Sequence, residues 1–178
     1  FIHTMEQYMT YPAANALQDR LAEGILLTLL EIGPKVVLPE PDYDTRAELM
    51  WSATLALNGL IGCGVPQDWS THHIGHELTA VYGLDHAQTL AVALPGVLRN
   101  RKAEKREKLL QYAGRIWGLT DGSPDERIET AIARTEAFFQ SLGVPTRLSA
   151  YGVDVANAPE TIAARLEARG DRTLGERG

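Results

Sequence analysis

Several things are scarce in this sequence, and each scarcity excludes a class of protein. Cys63 is the only cysteine. The chain forms no intramolecular disulfide, and a zinc site built on cysteine thiolates is excluded. No Lys/Arg-rich run occurs, and 17 basic against 23 acidic residues leave a net charge of −6. A nucleic-acid partner is therefore not expected. The longest strongly apolar stretch, Gly24 to Leu30, is far shorter than the ~20 residues of a membrane span, so no membrane association is expected. Neither a Met nor a basic or apolar leader precedes Phe1, so no secretory signal is visible. Strand signals are almost missing, the best being the three residues Val36-Val37-Leu38. Internal repeats and low-complexity segments are absent. What is present is a globular composition, 44% hydrophobic and 22% charged over 178 residues, enough for one domain with a real core.

Helical patterning fills that domain. Phe1 to Tyr8 reads as a helix already under way, and the chain stops at Gly175-Glu176-Arg177-Gly178 without a terminating motif. The expectation is a piece of a longer polypeptide. Asn15 to Glu31 carries Leu17, Leu21, Ile25 and Leu29 on one face, widened by Leu26, Leu27 and Leu30, and Gly33-Pro34 should end it. Val36 to Tyr43 reads as a surface connection. Asp44 or Thr45 is the expected cap of a helix running through Trp51 to Leu60. That segment is apolar nearly all round, which predicts a buried central helix covered by Asn15–Glu31 and Pro124–Leu142. Further helices are predicted over Ser70–Val81, His86–Leu94, Lys102–Trp117, Pro124–Leu142 and Pro159–Arg169. Ser123, Pro124 and Glu126 form a strong start signal, and Asp85 is a plausible cap for His86. The expected fold is an all-α, single multi-helix array of about seven to nine helices.

Histidine placement is the sharp chemical signal. Four of the five histidines, His72, His73, His76 and His86, fall within fifteen residues. His72 and His76 share a helix face, whereas His73 points about 100° away. If the helix ends near Thr79 or Val81, the chain has moved ~10–14 Å from His72. The residues through Gly83 then reach back ~15–20 Å and set His86 beside His72. An unbroken helix would hold them ~21 Å apart. Neutral imidazole is the commonest side-chain ligand for zinc and iron, yet the spacing alone also fits surface or core histidines. His76-Glu77 is not an HExxH metalloprotease motif, because residue 80 is Ala80. Cys63 reads as packing and not as a nucleophile, Ser52 and Ser70 lack an elbow motif, and no glycine-rich phosphate loop follows a strand. Glu6 and Asp19 read as solvated surface.

Taken together, Thr71-His72-His73-Ile74-Gly75-His76-Glu77-Leu78 and Gly83-Leu84-Asp85-His86-Ala87 resemble the C-terminal histidine motif of iron-containing (type III) alcohol dehydrogenases, His-x3-His-x9-His. Phe1-Ile2-His3-Thr4-Met5-Glu6-Gln7-Tyr8 resembles the family's upstream segment, Asp-x-x-x-His-x-x-Glu. Asn58-Gly59-Leu60-Ile61-Gly62 and Thr89 to Pro95 fit as well, and the wording of nearly the whole chain is similar to the NADPH-dependent, broad-specificity aldehyde reductase branch. The resemblance implies a dehydroquinate synthase-like C-terminal domain over residues 1–178, without the N-terminal nucleotide-binding domain. It implies His3, His72 and His86 as ligands of a divalent metal, Fe2+ or Zn2+, with an Asp ligand two positions before Phe1. His76 is implied to lie near the nicotinamide and substrate, as a catalytic and cofactor-contacting residue off the metal, and His73 has no implied role. NADP(H), bound mainly by the N-terminal domain, would pass hydride to a small aldehyde whose oxygen the metal polarises. A cytoplasmic homo-oligomer, a dimer, is implied for the full-length enzyme. The part alone is expected to be inactive. The alternatives are a related metal enzyme of the glycerol dehydrogenase or dehydroquinate synthase type, and a non-catalytic helical interaction module.

Overall fold

Local signals set several helix ends where the sequence places them. In the computed structural model, which describes residues 1–10, 15–171 and 173–176, Ser123 caps a helix over Pro124–Ser141. Its side chain and that of Glu126 satisfy each other's backbone N–H groups in a capping box. Numbered along the chain, the helices are α1 (Ile2–Tyr8), α2 (Ala16–Val36), α3 (Tyr43–Leu57), α4 (Ser70–Tyr82), α5 (His86–Asn100), α6 (Arg106–Arg115), α7 (Pro124–Ser141) and α8 (Ala158–Ala168). A 3-10 turn, Leu148–Tyr151, lies between the last two. No strand occurs among the described residues, so Val36-Val37-Leu38 is not one. The terminal Arg177 and Gly178 lie outside the described residues.

The core is built by α1, α2, α5, α6 and α7. Met5, Leu26, Leu94, Leu109, Tyr112, Ile128 and Ile132 are fully buried in it. Each such aliphatic side chain contributes ~1.5–3 kcal/mol by leaving water. The Tyr112 hydroxyl is paired with Thr135 Oγ1 at 2.7 Å, so the burial leaves no orphaned polar atom there. A second cluster joins α8 to α4 through Leu78, Ile162 and Leu166. Buried Glu77 clamps the same pair of helices by accepting from Arg165 and Arg169.

Four local expectations are corrected. Gly33 and Pro34 do not end α2, which runs on to Val36. Pro34 falls in the last turn, where its missing N–H costs α2 one hydrogen bond, to the carbonyl of residue 30. Gly33 serves packing instead, since a Cβ there would stand 2.9 Å from Phe138 Cζ. Likewise α5 passes through buried Pro95 and continues to Asn100. The start of α3 is capped by Asp42, which accepts from the Thr45 backbone N–H at 2.8 Å, and not by Asp44 or Thr45. Residues 101–105 form turns before α6, where Lys105 is drawn inward to buried carboxylates.

The largest correction concerns α3 itself, which is peripheral and not central. Met50 is 71% exposed, Trp51 64% and Leu57 59%, while only Thr45, Ser52 and Ala56 are buried. α2 covers one side of α3, and α7 packs on α5 and α6. Apolar composition all round a helix says that it can be covered on every side, not that this chain supplies the cover. Cys63 is exposed, so it is not a packing residue. Glu6 and Asp19 are buried, not solvated. Asp19 pairs with Lys108 at 2.6 Å and accepts from Asn15 and Gln111.

Candidate metal centre

Three helices deliver the histidines. α1 carries His3, α4 carries His72 and His76, and His86 is the first residue of α5. The return between α4 and α5 depends on Gly83, which has φ 69° and closes α4 with its N–H on the Thr79 carbonyl. That left-handed conformation is open to glycine at little cost. Asp85 then starts α5 through a capping box with Gln88. The two helices approach closely at Gly75, where a Cβ would meet Leu90 Cδ2 at 2.9 Å. A side chain there would crowd Leu90 and Thr89 on α5.

The start of α4 is tied to α1 by carboxylates. Asp68 accepts from the Ser70 backbone N–H at 2.7 Å, and its own N–H donates to the Glu6 carbonyl at 2.9 Å. Glu6 Oε1 accepts from the Thr71 N–H at 2.6 Å, and Oε2 contacts His72 Nδ1. Two of the free N–H groups at this helix end are thereby satisfied, and negative charge sits where the helix dipole favours it. The edge of the Trp69 ring system stands against His72, with centroids 5.2 Å apart.

His3, His72 and His86 come together. Their ligand nitrogens all lie within 4.8 Å of one another, and His72 Nε2 stands 3.0 Å from His3 Nε2. Two nitrogens bound to one ion at ~2.1 Å each stand about 3–4 Å apart, so the donor set fits a single divalent ion. Burial, then the neighbouring His72 and His86, hold the His3 pKa below its usual value. Burial, then His72 and His76, also lower that of His86. The neutral imidazole is the form that binds metals. The exposed His76 stands apart from this convergence but at its rim, its ring 5.4 Å from that of His86 and 6.0 Å from that of His72. His73 is exposed and takes no part. A cavity of about 230 Å³ opens beside His3 and His86, walled by Ile2, Leu90, Phe139 and Val144.

Sequence reasoning missed Glu6, Asp68 and Trp69 at this site. The available signal for Glu6 was its position three residues after His3, one helical turn on and therefore on the same face. For Asp68 the available signal was an acidic side chain two residues before Ser70, within reach of the first free N–H of α4; Trp69 carried no comparable signal.

An all-helical array that gathers three histidines at the junction of α1, α4 and α5 defines a class. Residues 1–173 match the model of the Fe-containing alcohol dehydrogenase family, C-terminal, and the chain belongs to that family. Among its relatives, it is 58% identical over 176 residues to the NADPH-dependent aldehyde reductase YqhD of Escherichia coli (strain K12), covering 99% of this chain and 45% of that protein. It is 37% identical over 167 residues to NADP-dependent alcohol dehydrogenase 3 of Entamoeba histolytica, covering 94% of this chain and 42% of that one. The substrate- and cofactor-free structure of the Escherichia coli aldehyde reductase superposes with a TM-score of 0.95 at 58% identity, over 98% of this chain and 46% of that one. An NADH-dependent butanol dehydrogenase A from Thermotoga maritima gives a TM-score of 0.88 at 25% identity, over 98% and 45% of the two chains. The chain thus spans less than half the length of these relatives.

Proposed function

We propose that this chain is the metal-binding half of an NADP-dependent alcohol dehydrogenase or aldehyde reductase. The observation that carries the reading is the convergence of His3, His72 and His86 nitrogens within 4.8 Å. Family membership and the NADPH-dependent relative at 58% identity support it. The three imidazoles would hold Fe2+ or Zn2+, and a carboxylate from upstream of Phe1 would complete the set. A bound divalent ion supplies Lewis acidity toward the oxygen of an aldehyde or alcohol during hydride transfer. The chain's own residues do the rest of the work on this side of the reaction. Their low basicity keeps His3 and His86 neutral and available as donors. Ile2, Leu90, Phe139 and Val144 wall the space beside them and limit water near the reacting oxygen. His76, exposed at the rim 5.4 Å from the His86 ring, would pass the proton between that oxygen and solvent and would contact the nicotinamide. NADP(H) is held mainly by an N-terminal domain that this chain does not contain. The complete enzyme is a cytoplasmic dimer in this reading, drawing on the reduced nicotinamide pool there.

The test uses the intact polypeptide. Aldehyde-dependent NADPH oxidation should be lost on chelation, return on adding Fe2+ or Zn2+, and be absent in His72→Ala. The isolated 178-residue chain should show no turnover. Chelator-resistant activity, or full activity in His72→Ala, would refute the reading.

A further inference from the structure

Glu6 is a carboxylate only 4% exposed, and the reaction outlined above gives it no task. It sits on α1 one turn after His3, and both of its oxygens are committed. Oε1 accepts from the Thr71 backbone N–H at 2.6 Å, and Oε2 faces Nδ1 of His72. An ionised carboxylate only accepts hydrogen bonds. In a neutral ring facing such a carboxylate, Nδ1 carries the proton and the lone pair is left on Nε2. That is the atom 3.0 Å from His3 Nε2, on the convergent side of the cluster. The Thr71 contact matters as much as the ring contact. It fixes the carboxylate by a backbone group of the same helix that carries His72, so ring and acceptor are held in one frame.

We propose that Glu6 is the positioning residue of this centre: it holds His72 as the Nδ1–H tautomer and aims Nε2 at the point shared with His3 and His86. The proposal rests on the reading that these three histidines hold a metal ion. Glu6 itself touches neither ion nor substrate. Outer partners of this kind typically change metal affinity by about 10–100-fold.

Glu6→Gln is the informative substitution, because it keeps the shape and removes one acceptor. The site presents two donors, Thr71 N–H and His72 Nδ1–H, and an amide has one oxygen to offer them. If that oxygen stays on Thr71, the amide NH2 faces Nδ1, and the imidazole moves its proton to Nε2. The intact polypeptide, labelled with 15N-histidine and free of metal, should show His72 protonated at Nδ1. Glu6→Gln should show the Nε2–H form. In competition with a chromogenic chelator, Co2+ should bind wild type tightly and His72→Ala poorly. Glu6→Gln should bind it about 10–100-fold more weakly than wild type, with the thermal melt of the metal-free protein confirming that it folds. A wild-type His72 protonated at Nε2 overturns the proposal whether or not the variant folds. So does a folded Glu6→Gln that binds Co2+ within twofold of wild type. Equal Co2+ binding by wild type and His72→Ala would instead overturn the metal reading beneath it.

Discussion

Replacing Lys105 by Met should be among the most destabilising single changes on the polar side of this domain. The Lys105 side chain is 3% exposed, and its ammonium has three partners. It lies 2.7 Å from Asp68 Oδ2 and 2.9 Å from Glu176 Oε2, and it donates to the Met9 carbonyl at 2.7 Å. Met fills nearly the same volume without the charge or the donors. Asp68 and Glu176, with side chains 4% and 9% exposed, would then face each other without a cation. Removing one partner of a buried pair costs about 3–5 kcal/mol, since the remaining charge stays buried. In a domain of this size each kcal/mol lowers Tm by about 2–4 °C, so a fall of roughly 6–20 °C is expected. The pH dependence has a definite sign. Burial alone would raise the Asp68 pKa, but hydrogen bonds from Lys105 and Ser70 and the Lys105 charge outweigh it and hold the carboxyl below its usual range. A carboxylate with a depressed native pKa stabilises the fold above its unfolded value of ~3.9. That stability is lost as pH falls through the lower native value. In Lys105→Met the cation that depresses it is gone, so the deficit against wild type should be largest near neutrality. It should shrink toward pH ~4 as the carboxyl is protonated in the variant first. Urea unfolding followed by far-UV circular dichroism at the two pH values measures this. A deficit below ~1 kcal/mol at neutral pH, the value of an exposed pair, would refute the argument. So would a deficit that stays constant down to pH ~4.

Three further outcomes follow from the same packing. Gly75→Val should cost about 1–3 kcal/mol by overpacking, because its Cβ meets Leu90 Cδ2 at 2.9 Å and Thr89 Oγ1 at 3.2 Å. Because it wedges α4 from α5, it should also weaken Co2+ binding in the intact enzyme. Trp51→Ser, on the exposed side of α3, should change stability by no more than about 0.5 kcal/mol in the 178-residue chain, whereas Leu94→Ala in the core should cost about 2–5 kcal/mol. Near-equal losses in urea melts would show that α3 is central after all. Divalent metal at 100 times its Kd should stabilise the intact enzyme by about 2.7 kcal/mol, read as a rise in Tm that a chelator reverses. His72→Ala should show no such rise.

Elements governed by neighbours in the chain were legible from the residues alone. The Ser123–Pro124–Glu126 start of α7, the Gly83 turn and the Asp85 cap of α5 each depend on atoms a few residues apart, and each stands where the sequence places it. The Gly83 break is also why His86 is able to return beside His72. Long-range geometry decided the remainder. Gly33-Pro34 and Pro95 read as stops because local chemistry disfavours a helix there, yet α2 and α5 continue through them. Packing on neighbouring helices outweighs a propensity cost confined to one turn. Glu6 and Asp19 read as surface because carboxylates are solvated unless paired, and their partners, His72 with Thr71 and Lys108 with Gln111, lie 65 to 92 residues away. The apolar girdle of α3 declares what the helix is able to bury, but burial belongs to whatever lies across from it, and only the folded chain shows that Trp51 faces outward. Spacing and caps are properties of a segment, whereas burial and the tautomer of a buried imidazole are properties of what surrounds it.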